Sequence, residues 1–149
     1  LKMENKNIQN EKVYSINYKD GVQHLLTFNK DNQVIKEAWI KNQELHSSSG
    51  KEYEPTVTEY YGNGVTKSKS WFKNGKLHRD YKDCIGVLPA EIEYYENHNR
   101  WIEKWYKNGE PFCGENGNKP YQIIYFKDGT IASKKYCKKN FIERLFSLI

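Results

Sequence analysis

The chain predicts an all-β fold: an antiparallel meander of about four β-hairpin repeats, ended by a short C-terminal capping helix. Three observations carry this expectation. One unit recurs four times, each copy holds two turn signals at fixed places, and the apolar supply is poor in aliphatics and rich in aromatics. Leu, Ile, Val and Phe make only 32 of 149 residues, whereas Tyr, Phe and Trp number 22. A share of about one fifth is close to the level at which chains stop folding, so a thick aliphatic core is not available. Ordering has to come from aromatics, each able to bury about 150–250 Å².

The copies start at Gln23, Pro55, Pro89 and Pro120, separated by 32, 34 and 31 residues. An aromatic stands five positions after each start, at Phe28, Tyr60, Tyr94 and Tyr125, and a second large aromatic sixteen after each start, at Trp39, Trp71, Trp105 and Tyr136. The first turn signal lies eight and nine positions after the start: Asp31-Asn32, Asn63-Gly64, Asn97-His98 and Asp128-Gly129. The second follows the large aromatic: Asn42-Gln43, Asn74-Gly75, Asn108-Gly109 and Lys139-Asn140. Asn-Gly and Asp-Gly supply positive φ, so both turns are expected to be two-residue type I′ hairpins. Each unit then reads strand, turn, strand, turn, short return strand, and the residue five after the start pairs with the one twelve after it. Tyr18 to Gly21, after the alternating run from Val13, reads as a partial unit opening the array.

The length fits one domain. Its expected parts are a tail and partial unit over 1–22, repeats over 23–54, 55–88, 89–119 and 120–140, and a helical cap over 141–149. The cap is read from Asn140 as N-cap with Glu143 three residues on, followed by Phe141, Ile142, Leu145, Phe146 and Ile149 at helical spacing. The in-register aromatics, Trp39, Tyr60, Trp71, Tyr94, Trp101, Trp105, Tyr125 and Tyr136, form a candidate binding ladder along one side of the sheet.

The strings WFKNGKLHR from Trp71 to Arg79, PAEIEYY from Pro89 to Tyr95 and WYKNG from Trp105 to Gly109 resemble a variant of the MORN-like repeats. That variant, WYxNGxLHR followed by PAxIxYYxNG, occurs in giant DNA viruses and phages and is akin to bacterial antitoxin-type repeats. The resemblance covers about residues 23 to 140. Departures are Phe112 at the place of His46 and His78, and Asn97-His98 in place of Asn-Gly. It implies single-layer hairpin repeats used as interaction scaffolds, no catalytic residues, and a viral protein working in host cytoplasm or virion.

The charge of +5 rests on 21 Lys against three Arg, and Lys, Asn, Ile and Tyr fill 60 of 149 positions. That is the signature of an AT-rich coding sequence more than of an acidic partner. Lys67, Lys69, Lys73, Lys76 and Arg79 nevertheless form a basic strip interleaved with Trp71 and Phe72, the composition of a single-strand nucleic-acid platform. His46 and His78 read as cross-strand partners of tryptophans, and His24 and His98 are solitary. Glu59, Glu91, Glu93, Glu96 and Glu103 read as solvated strand carboxylates, because a flat meander offers few clefts. Cys84, Cys113 and Cys137 show neither CxxC nor a nearby His pair, so a disulfide framework or zinc site is not expected and a reducing compartment is. No sequon, signal-type apolar segment or membrane-length apolar run is present. The expected product is an intracellular, non-enzymatic scaffold without cofactor or metal, neither secreted nor transmembrane, binding a protein partner. Nucleic acid is the alternative, with antitoxin-like neutralisation a third reading and an acidic membrane surface the least favoured. Self-association through sheet edges or the C-terminal helix is a further expectation.

Overall fold

A computed structural model describes residues 5–8, 11–47 and 53–138. The strands are β1 (Asn5–Ile8), β2 (Glu11–Asn17), β3 (Val22–Phe28), β4 (Val34–Lys41), β5 (Glu44–Leu45), β6 (Val57–Tyr60), β7 (Thr66–Ser70) and β8 (Phe72–Lys73). They continue as β9 (Lys76–Leu77), β10 (Glu91–Tyr94), β11 (Arg100–Lys104), β12 (Tyr106–Lys107), β13 (Glu110–Pro111), β14 (Gln122–Tyr125) and β15 (Ile131–Lys135). One sheet runs β1-β2-β3-β4-β6-β7-β10-β11-β14-β15 with β5 added to β4, while β8–β9 and β12–β13 are separate two-stranded ribbons. Every pairing is antiparallel, so the expected all-β meander is what the chain forms. Strand β1, within the segment read as a tail, extends it by pairing with β2. The expected capping helix lies outside the described residues.

The two kinds of turn differ. After the tryptophans both central residues have positive φ, at Asn42 and Gln43, Asn74 and Gly75, Asn108 and Gly109, which is the type I′ turn expected. The first turns are not type I′. Each has one left-handed residue, Asn32, Gly64, His98 or Gly129, and spans three residues: Tyr61 N–H donates to the Val65 carbonyl and Gly64 N–H to the Tyr61 carbonyl. Asn63 Oδ1 accepts the Val65 N–H at 3.0 Å, and Asn97 and Asp128 do the same for Asn99 and Thr130. This side-chain acceptor fixes the turn as type I with a following bulge.

The longer loop shifts only the pair beside the turn, and past the bulge the strands keep the expected register, as in Glu59 with Ser68 and Val57 with Ser70. Tyr60 pairs with Thr66 instead of Lys67, and the shift recurs at Phe28, Tyr94 and Tyr125. The residue twelve after each start, Ile35, Lys67, Trp101 or Ala132, is left as the bulge. Trp101 consequently lies against Tyr95, with ring centroids 5.8 Å apart.

The short ribbons make a second tier. Gly75 N–H donates to Leu45 carbonyl and Asn74 N–H to His46 Nδ1 at 3.2 Å; Gly109 N–H donates to Leu77 carbonyl and Asn108 N–H to His78 Nδ1 at 3.0 Å. Each histidine thus accepts from the turn of the next ribbon, in addition to lying opposite its tryptophan. An accepting Nδ1 requires the neutral Nε2–H tautomer, and His78 Nε2 faces Asp80 Oδ2 at 3.2 Å.

The core is thin, as the composition required. Among the described residues the buried apolar side chains are Val22, Ala38, Val57, Trp71, Pro89, Ala90, Ile92 and Cys113, joined by Thr56, Arg79 and Glu103. The cysteines correct the sequence reading: Cys113 and Cys137 form a disulfide with Cα atoms 6.0 Å apart, and Cys84 is free and exposed. Spacing of 24 residues carries no signal of it; the return of β15 alongside β14 brings the two together. No described helix is long and apolar enough to cross a membrane.

Candidate functional site

The segment from β9 to β10 is the longest connection in the second half of the sheet, and its own hydrogen bonds shape it. Lys82 bridges to Val87, Leu88 N–H donates to the Tyr81 carbonyl, and Asp83 Oδ1 accepts the N–H groups of Ile85 and Gly86 at 2.8 and 3.1 Å. Gly86, at φ 137°, occupies a conformation that other residues rarely adopt. Trp105 Nε1 ties this loop to the sheet by donating to the Val87 carbonyl at 2.9 Å. A second loop, from β13 to β14, is closed by Lys119 N–H on the Cys113 carbonyl and by the disulfide.

Between these loops and strands β11 and β14 lies a cavity of about 530 Å³, walled by Ile85, Val87, Trp105, Phe112, Pro120 and Ile123. Glu103 lines it and is only 3% exposed, against the expectation of a solvated strand carboxylate. Its burial follows from β11 facing the two loops, a relation that the strand's own sequence does not contain. One oxygen is paired with Arg100, and the other accepts the Tyr125 hydroxyl at 2.5 Å. Burial, then the bond to Glu103, pushes the Tyr125 phenol up to about 12.

The same positions build a smaller site earlier in the chain. Glu37, Trp39, Glu54, Pro55 and Thr58 line a cavity of about 180 Å³, and their counterparts by offset are Glu103, Trp105, Lys119, Pro120 and Ile123. Tyr60 donates to Glu37 at 2.8 Å, as Tyr125 does to Glu103, and is likewise pushed up to about 12 by burial and Glu37. His24 stacks on Trp39 at 4.1 Å and lies 3.3 Å from Glu37.

Between these two, the equivalent place around Trp71 is filled by the chain itself. The Arg79 guanidinium lies over the Trp71 ring, 3.7 Å from its centroid, and donates to the Pro89 carbonyl at 3.1 Å. It is 8% exposed, and among the described residues its Nε has no acceptor. Burial pushes it down to about 10, leaving it charged at neutral pH. Trp71, 5% exposed, donates its own Nε1 to the Tyr53 carbonyl at 3.3 Å, the counterpart of the Trp105 to Val87 bond.

The expected aromatic ladder is therefore not a stack of rings. Among the described residues no ring contact joins two of its eight members. Trp39 is covered by His24 and Tyr18, Trp71 by Arg79, and Trp105 and Tyr125 line the large cavity. Tyr94 is half-buried, with its phenol raised by that burial. Trp101 and Tyr136 are exposed. What recurs on the YY pair is polar: Tyr61 and Tyr95 donate their hydroxyls to the carbonyls of Tyr94 and Tyr125.

The basic strip is divided. Lys67 is a bulge residue on β7, Lys69 is half-buried, Lys73 and Lys76 face each other across the β8–β9 ribbon, and Arg79 is buried. Of the carboxylates, Glu59 pairs with Lys36 at 3.1 Å, and Glu91 and Glu93 share Lys104, each at 3.3 Å; Glu96 is exposed. Burial raises the Glu91 carboxyl despite Lys104. Sequence reasoning missed Ile85, Phe112 and Pro120 as cavity walls; the one usable signal was the length of the connection holding Ile85.

No family model, curated protein or solved structure matches this chain.

Proposed function

We propose that this chain is a non-catalytic, MORN-like scaffold of four repeats that binds a protein partner, holding a segment of it in the cavity beside Trp105 and Glu103. The cavity carries the reading. A volume of about 530 Å³ with apolar walls and a few polar groups is the form of a site for a side chain or short peptide. The repeat count is supported by the bulge that recurs twelve positions after all four starts, and by the indole and tyrosine bonds that recur at equivalent offsets in two copies each. Binding is favoured over catalysis because both oxygens of Glu103 are engaged, which makes it a poor proton acceptor. A protein is favoured over nucleic acid because Trp71 and Arg79, central to the basic strip, cover one another and are 5% and 8% exposed, which leaves little ring face or guanidinium for a base or phosphate.

The test is selection of a displayed peptide library on the immobilised chain and on its Ile85→Asp variant. Ile85 lines the cavity but is 85% exposed, so this change alters the wall without disturbing packing. Peptides enriched on the parent chain and lost on the variant are expected. Identical enrichment on both, or none on either, overturns the reading.

A further inference from the structure

Resting on that reading of the cavity, we infer that it takes a guanidinium group, the side chain of an arginine on the protein partner, stacked on the ring of Trp105. The argument comes from the chain's own occupied copy of the site. Around Trp71 the guanidinium of Arg79 has the indole face, the Pro89 carbonyl and, more loosely, the Tyr81 ring at 6.0 Å. Tyr94 also acts on it, since the two groups shift one another's titration. The counterparts of Trp71, Pro89, Tyr81 and Tyr94 are Trp105, Pro120, Glu115 and Tyr125, and all four line the cavity.

The residue at Arg79's own place is Cys113, which is bound to Cys137 and does not line the cavity. The binding groups are thus repeated while the group they bind is missing. Glu103 stands where the filled copy has Lys69 and Glu115 where it has Tyr81, while Arg100 and Lys119 stand where it has Thr66 and Leu88, so the open copy gains two acids and two cations.

Charge alone does not select the ligand. Lys82, Arg100 and Lys119 line the cavity together with Asp83, Glu103 and Glu115, three cations against three acids. Arg100 holds one oxygen of Glu103, and Lys82 and Lys107 approach Glu115 at 3.9 and 3.6 Å. Selection then rests on the ring face and the Pro120 carbonyl, which suit a planar, weakly hydrated guanidinium better than a compact ammonium.

The experiment titrates N-acetyl-arginine amide into the full chain and follows the indole N–H resonances of the tryptophans, with N-acetyl-lysine amide as comparison. The expected result is a saturable shift at Trp105 and none at Trp71, with the lysine probe at least about tenfold weaker. Trp105→Leu removes the response. Arg79→Ala, which empties the filled copy, adds a second saturable response at Trp71. Because the unmodified chain already distinguishes the two rings, a variant that fails to fold leaves the test decisive. No shift at Trp105, equal response to both probes, or a shift only at exposed Trp101 overturns the inference. A response that appears only in an Arg144→Ala chain also overturns it, by making the chain's own terminal segment the occupant. Selected peptides that need Ile85 but carry no arginine overturn the guanidinium assignment and leave the binding reading standing.

Discussion

Trp71 and Trp105 stand at the same place in successive stretches of the sheet, and each anchors its indole N–H on the carbonyl of the preceding loop. Around Trp71 an arginine closes the space, and the ring is 5% exposed. Around Trp105 the space stays open as a cavity of about 530 Å³. The residue that fills the first space, Arg79, is replaced by Cys113 in the second, and Lys69 and Tyr81 are replaced there by Glu103 and Glu115. The first copy, about 180 Å³ and partly covered by His24 on Trp39, is intermediate. One backbone pattern therefore yields a sealed structural site and an open binding site, according to residues that the pattern does not constrain.

The largest effect expected from breaking this contrast is on stability. Trp71→Ala should cost about 3–5 kcal/mol in urea unfolding, because it empties a filled site. Trp105→Ala should cost at least about 1 kcal/mol less, since one side of its ring already faces open space; equal losses would mean that the two sites are not different in kind.

Next comes the disulfide that ties Cys113 beside the open site. Reduction, or Cys137→Ser, should lower stability by about 2–4 kcal/mol, measured by unfolding with and without reductant. A smaller loss, below about 1 kcal/mol, would show that the loop from β13 to β14 is held by its backbone alone.

Arg79→Ala should cost about 2 kcal/mol, from the lost ring contact, the lost bond to the Pro89 carbonyl and the remaining void. No change in unfolding midpoint would mean that the guanidinium does not hold the site closed.

The smallest and sharpest test uses pH. Tyr60 and Tyr125 are each raised from near 10 to about 12, by burial and by the carboxylate that each donates to. The folded chain therefore holds these protons more tightly than the unfolded chain. The associated stability is fully present below pH of about 10 and is lost as pH rises toward about 12. Tyr125→Phe should cost about 1–2 kcal/mol at neutral pH, from loss of the bond to buried Glu103, and should flatten the alkaline decline. Tyr60→Phe should cost less, because Glu37 keeps His24 within 3.3 Å and is more exposed than Glu103. An alkaline slope unchanged in both variants would disconnect the tyrosines from it.

Much of the fold is legible in the order of residues. The alternation of aromatic strands with Asn-Gly signals marks where the chain reverses, because few residues tolerate positive φ, and the second turns are type I′ as that chemistry requires. The same signal misleads at the first turns. Asn63-Gly64 fits a two-residue turn equally well, and the choice is made by Asn63 Oδ1 capturing the Val65 N–H, which lengthens the loop and creates the bulge. That one-residue change moves Trp101 onto Tyr95, away from the place that the ladder assigns it.

The candidate site is legible only in its parts. Trp105 and Tyr125 stand out as aromatics in register and Glu103 as a strand carboxylate, but nothing local links them to Ile85 and Phe112 across two loops. Nor does spacing predict that Cys113 meets Cys137, since their approach depends on the path of β15.

The amino-acid sequence by itself determined the all-β meander, the places of its reversals and the thinness of the core, because turn preference and side-chain periodicity act over a few residues. Tertiary structure alone decided that Glu103 is buried, that two cysteines join, and that Arg79 seals one copy of a site whose later copy stays open. Those outcomes depend on which loops fold over which strands, a relation between residues far apart in the chain that no local preference encodes.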